Sequence, residues 1–172
     1  LTWETLDGLI KHNGKIIETY FQYDLSDNFM FDLSKNPSLE AQIASLSDDI
    51  AYIAHDFDDG IRSEILDIKK ISKLNDLFDF IDFEYMQSLD NKVARNYFTR
   101  SIINYFVKDL IAQTDLNLKN YNLNNYQDVI NQENFLISFT PQTRSKIVLI
   151  KKYLYENFYT SEFVYQSRTK AE

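Results

Sequence analysis

Residues 38–62 read Ser38-Leu-Glu-Ala-Gln-Ile-Ala-Ser-Leu-Ser-Asp48-Asp49-Ile-Ala-Tyr52-Ile-Ala-His55-Asp56-Phe-Asp58-Asp59-Gly60-Ile-Arg62. The stretch has no proline after Ser38 and a single glycine near its end, so it reads as one long helix. At 100° per residue, Ile43, Leu46, Ile50, Ile53 and Phe57 share one side, while Asp48, Tyr52, His55, Asp56 and Asp59 share the other. Five carboxylates fall between Asp48 and Asp59 without a Lys or Arg among them. A solvated helix face accounts for most charged runs of this kind. A cluster without internal countercharge also suits a site where something else supplies positive charge. Asp48, Tyr52 and Asp56, one turn apart, could ligate a divalent metal at one end and hydrogen-bond a hydroxylated ligand at the other. Spacing alone does not choose between the two.

The order of residues adds what spacing lacks. The string from Ser38-Leu-Glu-Ala-Gln through Ser-Asp-Asp-Ile-Ala-Tyr to His-Asp-Phe-Asp-Asp-Gly60 resembles the third metal motif of the deoxynucleoside triphosphate triphosphohydrolases, the dGTPase-like branch of the HD-domain phosphohydrolases. Leu1-Thr-Trp-Glu-Thr-Leu-Asp-Gly-Leu-Ile-Lys-His-Asn-Gly14 resembles the segment that precedes this motif in bacterial members, and Leu154-Tyr-Glu-Asn-Phe-Tyr-Thr-Ser-Glu-Phe-Val164 resembles a helix end near their C-terminus. Three landmarks in the family's order span nearly the whole chain.

The resemblance implies roles residue by residue. Asp48 matches the last ligand of the family's metal centre, while Tyr52 and Asp56 match positions that contact the nucleotide's phosphate and sugar, Asp56 accepting from the 3′-hydroxyl. Asp49 takes no role. The implied reaction cuts a deoxynucleoside triphosphate into a deoxynucleoside and tripolyphosphate, with a divalent ion (Mn, Mg or Fe) activating water and neutralising charge at the α-phosphate. His55-Asp56 copies the dipeptide that names the HD superfamily, but Phe57-Asp-Asp-Gly60 follows it, where the family's metal-binding pair precedes a Gly-His-rich run. His55 is therefore expected to stand outside the metal shell, and His12, in Lys-His-Asn-Gly, reads as a C-terminal helix residue ahead of a Gly14 stop.

The family's centre needs an early His, a His-Asp pair and the late Asp, and three of those four ligands have no match here. No complete catalytic set is thus expected in this chain, which reads as the C-terminal half of a dGTPase-like enzyme, inactive alone. Its expected partners are the substrate in the complete enzyme and either further copies of itself or an N-terminal half supplied in trans. The rival expectation is a non-catalytic helical assembly module, or the remnant of a split gene.

Composition narrows the fold. At 172 residues the chain fits a single helical region over 1–172, long enough to bury roughly 70% of its extended surface. Three Gly and two Pro disfavour turn-rich β architecture and favour long helices, so the expected class is an all-α helical bundle. The absence of cysteine excludes disulfide scaffolds, thiolate nucleophiles and zinc-thiolate sites. A net charge of −8 argues against nucleic-acid binding through this segment, since such binding is dominated by phosphate neutralisation. No apolar run approaches membrane-spanning length and no basic-then-apolar leader opens the chain, so no membrane partner and a cytoplasmic location are expected.

Along the chain, Leu6–Lys11 reads as the end of a helix entered before Leu1. Residues 15–36 lack a clear pattern. Asn36-Pro37 offers an N-cap and first-turn pair for the motif helix, which is expected to run to about Gly60 or to extend through Arg62 to Leu66. Residues 68–90 suggest short helices, and Asp90 to Thr114 a long amphipathic one with Val93, Tyr97, Phe98, Ile102, Tyr105, Phe106 and Leu110 inward and Arg95, Arg100 and Lys108 interleaved. Aromatics interleaved with cations can stack on bases, but at this spacing they more often form core. The Asn-rich stretch 117–134 reads as a loop or a frayed connection. Thr140-Pro141 then caps a last helix with Ile147, Ile150, Leu154 and Phe158 inward and Arg144, Lys146, Lys151 and Lys152 outward.

Overall fold

A computed structural model describes residues 1–16, 31–121 and 123–161. Among these the regular structure is helical, without a strand, as the composition implies. The helices are α1 (Trp3–Ile10), α2 (Leu39–Arg62), α3 (Ile68–Ile71), α4 (Phe83–Gln87), α5 (Asn91–Asn120), α6 (Tyr126–Ile130) and α7 (Pro141–Leu154), with a π-helical turn at Tyr155–Tyr159. No helix among the described residues is long and apolar enough to cross a membrane. The described chain falls into two compact units, one from Leu1–Asp48 and Leu110–Ser138, the other from Asp49–Asp109 and the residues from Phe139 onward. Most of residues 15–36, and residues 162–164 of the C-terminal landmark, lie outside the described residues.

In the first unit, α1 starts at Trp3, with Thr2 as N-cap accepting from the Thr5 N–H. Past its end, Gly14 adopts φ 101°, a region that favours glycine. Asp7 and Lys11 form a buried ion pair at 2.6 Å across one turn of this helix. The start of α2 differs from expectation. Ser38 accepts from the Ala41 N–H, while Asn36 is buried and donates through its amide to the Gln132 and Asn134 carbonyls. Asn36 thus ties down a distant loop and leaves the cap to Ser38. Ile43 also departs from its expected core position, being 47% exposed, whereas Gln42 beside it is fully buried. The Gln42 amide makes this tenable: Nε2 donates to the Pro37 carbonyl at 2.9 Å, and Oε1 accepts from the Leu136 and Ile137 N–H groups at 2.9 and 3.2 Å.

The Asn-rich stretch is more ordered than a loop. Helix α5 continues to Asn120, where Asn117 donates to the Leu136 carbonyl and to Ser138 Oγ. Asn125 and Asp128 form a reciprocal capping box that starts α6. Asparagine here serves as cap and cross-tie, a use that apolar periodicity does not register.

The second unit is built around aromatic packing. Phe57 of α2 is fully buried and meets Phe78 and Phe98 edge-on, with ring centroids 5.6 and 5.3 Å apart. Ile50, Ile53 and Ala54 extend the buried face of α2, and Phe98, Ile102 and Phe106 supply that of α5. Val93 is 45% exposed and Ala94 takes the buried place instead, while Phe98, Ile102, Phe106 and Leu110 are buried as expected. Gly60 permits close return of the chain, since a Cβ there would fall 2.5 Å from Leu66 Cδ1. Helix α7 begins as expected with Thr140 capping and Pro141 in the first turn, and Asp109 holds Thr140 by accepting from both its N–H and its hydroxyl. Lys146 is the exception on α7. It is only 7% exposed, pairs with Asp79, and lies 5.7 and 5.4 Å from the ring centres of Phe80 and Tyr105. The long apolar stem and the ring faces let an ammonium group sit where helical spacing alone predicts solvent.

Candidate functional site

The five carboxylates of α2 between Asp48 and Asp59 do not share one fate. Asp49 pairs with Lys151 at 2.6 Å, Asp58 with Arg95 at 3.0 Å and Asp59 with Arg62 at 2.6 Å. The uncompensated stripe inferred from the local sequence is therefore corrected for three of its members. Arg62 stands one turn beyond Asp59, and the other two cations arrive from α5 and α7. Asp48 and Asp56 receive no Lys or Arg in an ion pair among the described residues. Among the five carboxylates, these are the two to which the family resemblance assigns roles.

Asp48 belongs to the first unit. Its side chain is 73% exposed and its Oδ2 lies 3.8 Å from His12 Nε2. His12, read from the sequence as no more than a helix-end residue, is held nearby because Ser45 Oγ donates to its carbonyl at 2.7 Å. Sequence reasoning missed this approach, for which the only signal was that His12 stands in the landmark segment preceding the motif. The donor set for a metal is short. Among the described residues no three His, Cys, Asp or Glu side chains converge on one point, so one exposed carboxylate and one imidazole do not by themselves hold a divalent ion.

Asp56 and Tyr52 belong to the second unit, one turn apart on α2. Asp56 is half-buried and accepts a hydrogen bond from the Tyr159 hydroxyl. Burial pushes its carboxyl above the usual carboxylate range; the Tyr159 bond opposes that shift, and neighbouring Asp59 adds to it. Tyr52 is 46% exposed, and its ring lies nearly parallel to that of Tyr159, 15° between planes and 6.1 Å between centroids. The Tyr159 phenol is pushed well above its ordinary value by burial first, and then by its bonds to Asp56 and Tyr52. Tyr159 is thus the residue that joins Tyr52 to Asp56. It lies inside the C-terminal landmark, where the sequence marked a stretch without singling out a side chain. His55 is exposed, and its charge opposes the upward shift of the Asp56 carboxyl.

Chemically, the pair can both accept and donate. Asp56 offers carboxylate oxygens to a hydroxyl donor, and the two phenol rings offer a flat surface beside it, the Tyr159 hydroxyl hydrogen being held by Asp56.

No family model matches the chain. Comparison with curated proteins finds relatives along its whole length. A deoxyguanosinetriphosphate triphosphohydrolase-like protein of Brucella suis is 33% identical over 185 aligned positions, covering 100% of this chain and 46% of the relative. One from Rickettsia typhi is 36% identical over 94% of this chain and 43% of its own length, and one from Rickettsia prowazekii 34% identical over the same shares. The chain spans somewhat under half the length of the relatives it matches, consistent with the C-terminal half named by the resemblance.

Proposed function

Because this chain belongs with the deoxyguanosinetriphosphate triphosphohydrolase-like proteins and matches under half of their length, we propose that it forms part of the nucleotide site of such an enzyme. The proposed reaction is hydrolysis of a deoxynucleoside triphosphate to a deoxynucleoside and tripolyphosphate. The observation that carries this reading is the sorting of the α2 carboxylates. Ion pairs use up Asp49, Asp58 and Asp59, whereas Asp48 and Asp56 receive no Lys or Arg among the described residues. In this reading Asp56 accepts from the sugar 3′-hydroxyl, Tyr52 donates toward sugar or phosphate, and Asp48 contributes one ligand to a divalent ion. The remaining ligands come from the part of the relatives that this chain does not match, either joined to it or brought in trans. A second reading, a non-catalytic helical module, is favoured by the short donor set around Asp48.

A chimera separates the two. The matching part of the Brucella suis relative is replaced by this chain, and tripolyphosphate release from each deoxynucleoside triphosphate is measured with Mn²⁺ or Mg²⁺. Expected is an active chimera that loses turnover in Asp48→Ala and weakens KM in Asp56→Asn, beside a chain that is inactive alone. A chimera that melts cooperatively but releases no tripolyphosphate, or an isolated chain that turns over, would overturn the proposal.

A further inference from the structure

A groove of about 440 Å³ runs along the outward face of α5, on the second unit. Val93, Asn96, Tyr97, Arg100 and Asn104 recur at helical spacing to form its length, and Tyr85 from α4 adds a wall. Its composition departs from that of the chain. In a protein of net charge −8, none of the residues lining this groove is a carboxylate, and Arg100 is the one cation among them. Two other grooves among the described residues each contain two carboxylates, Glu4 and Glu40 in one and Asp76 and Glu156 in the other. Arg62 and Arg95 are both paired, whereas Arg100 is exposed and forms no ion pair among the described residues. The aromatic wall is formed by Tyr85, 52% exposed, set edge-on to Tyr97 with centroids 5.3 Å apart. Exposed amides of Asn96 and Asn104 flank Arg100 one turn to either side.

We propose that this groove binds a planar aromatic anion, a ring that packs on Tyr85 and Tyr97 and carries a phosphate or carboxylate for the Arg100 guanidinium. A guanidinium presents a planar fork of N–H donors that matches either anion in bidentate fashion. Tyrosine offers a flat apolar face to a ring. The amides on either side of Arg100 both donate and accept, as the edge of a heterocycle requires. The volume lies within the range of small-molecule clefts, about 300–1,000 Å³. The site is separate from Tyr52, Asp56 and Tyr159 and does not rest on the proposed reaction.

The test uses adenosine 5′-monophosphate, adenosine and inorganic phosphate, each titrated into the purified chain and followed by the Arg side-chain resonances in NMR and by calorimetry. Expected is saturable binding of the monophosphate, with adenosine and phosphate each at least about tenfold weaker. Arg100→Gln should weaken the monophosphate about tenfold, the value of one charge-assisted hydrogen-bonded contact, and Tyr85→Ala several-fold. Both substituted residues are exposed, so the variants should melt like the parent. Binding indifferent to Arg100→Gln, or no saturable binding, would overturn the proposal. So would self-association that Arg100→Gln abolishes, since the groove would then be a contact between copies.

Discussion

The Tyr159 hydroxyl donates to Oδ2 of Asp56, joining the π-helical turn after α7 to the middle of α2. The bond gives a half-buried carboxylate one donor partner in place of water. It also fixes the position of a phenol whose ring lies beside that of Tyr52. Tyr159→Phe removes only the hydroxyl and keeps the ring. Stability should fall by about 1–2 kcal/mol, read from urea unfolding at neutral pH. Equal midpoints for the two proteins would mean that water replaces the hydroxyl without cost.

Asp56 also sets a pH dependence. Its folded-state carboxyl lies above its ordinary 3.8 because burial disfavours the charge. The protonated form is thus favoured by folding, and that contribution is full below 3.8 and is lost as pH rises through the raised folded value. Replacing it with asparagine removes this loss. The melting temperature of Asp56→Asn relative to the parent should therefore improve from acid toward neutral pH. A constant difference across that window would show that Asp56 titrates as it does in the unfolded chain.

Gln42 satisfies two backbone N–H groups and one carbonyl while fully buried. Gln42→Leu would preserve volume but leave Leu136 and Ile137 N–H without acceptors. The expected loss is about 3 kcal/mol, measured by denaturant titration. Amide exchange at Leu136 and Ile137 should accelerate more than that at Phe98 in the other unit.

Lys146 and Asp79 form an asymmetric pair, the lysine nearly enclosed and the aspartate more than half open. Asp79→Ala leaves a buried ammonium with only ring faces for company and should cost about 2–3 kcal/mol. Lys146→Met removes the charge together with its need for a partner and should cost less than about 1 kcal/mol. A reversed order in thermal melts would show that the lysine is hydrated.

Phe57→Ala opens a cavity at the meeting point of three rings and should cost about 3–5 kcal/mol by chemical denaturation. A loss below about 1 kcal/mol would mean that Phe78 and Phe98 collapse into the space.

Periodicity made the long helices legible because each carries a continuous apolar stripe. Ile50, Ile53 and Phe57 on α2, and Ile147, Ile150 and Leu154 on α7, are buried as their spacing requires. It failed where a polar group solves a packing problem. Gln42 displaces Ile43, Asn36 leaves its cap role to Ser38, and Lys146 folds inward over aromatic rings. In the candidate site, Asp48, Tyr52 and Asp56 could be named because a motif fixes their order on one helix. Tyr159 could not be picked from its neighbours, since its contact spans a separation of 103 residues. The pairing of Asp49 with Lys151 was hidden in the same way.

That last pairing bears on the order of folding. Until residues 102 positions apart are brought together, Asp49 lacks its cation, and Asp58 waits likewise for Arg95. An isolated α2 peptide carries its carboxylates with Arg62 as the one lysine or arginine from Leu39 to its end. It should therefore have little helicity in water and gain it on acidification, as its side chains lose charge. The helix that stands out most clearly in the sequence is in this sense one of the least autonomous, a scaffold that forms only when α5 and α7 arrive to neutralise it.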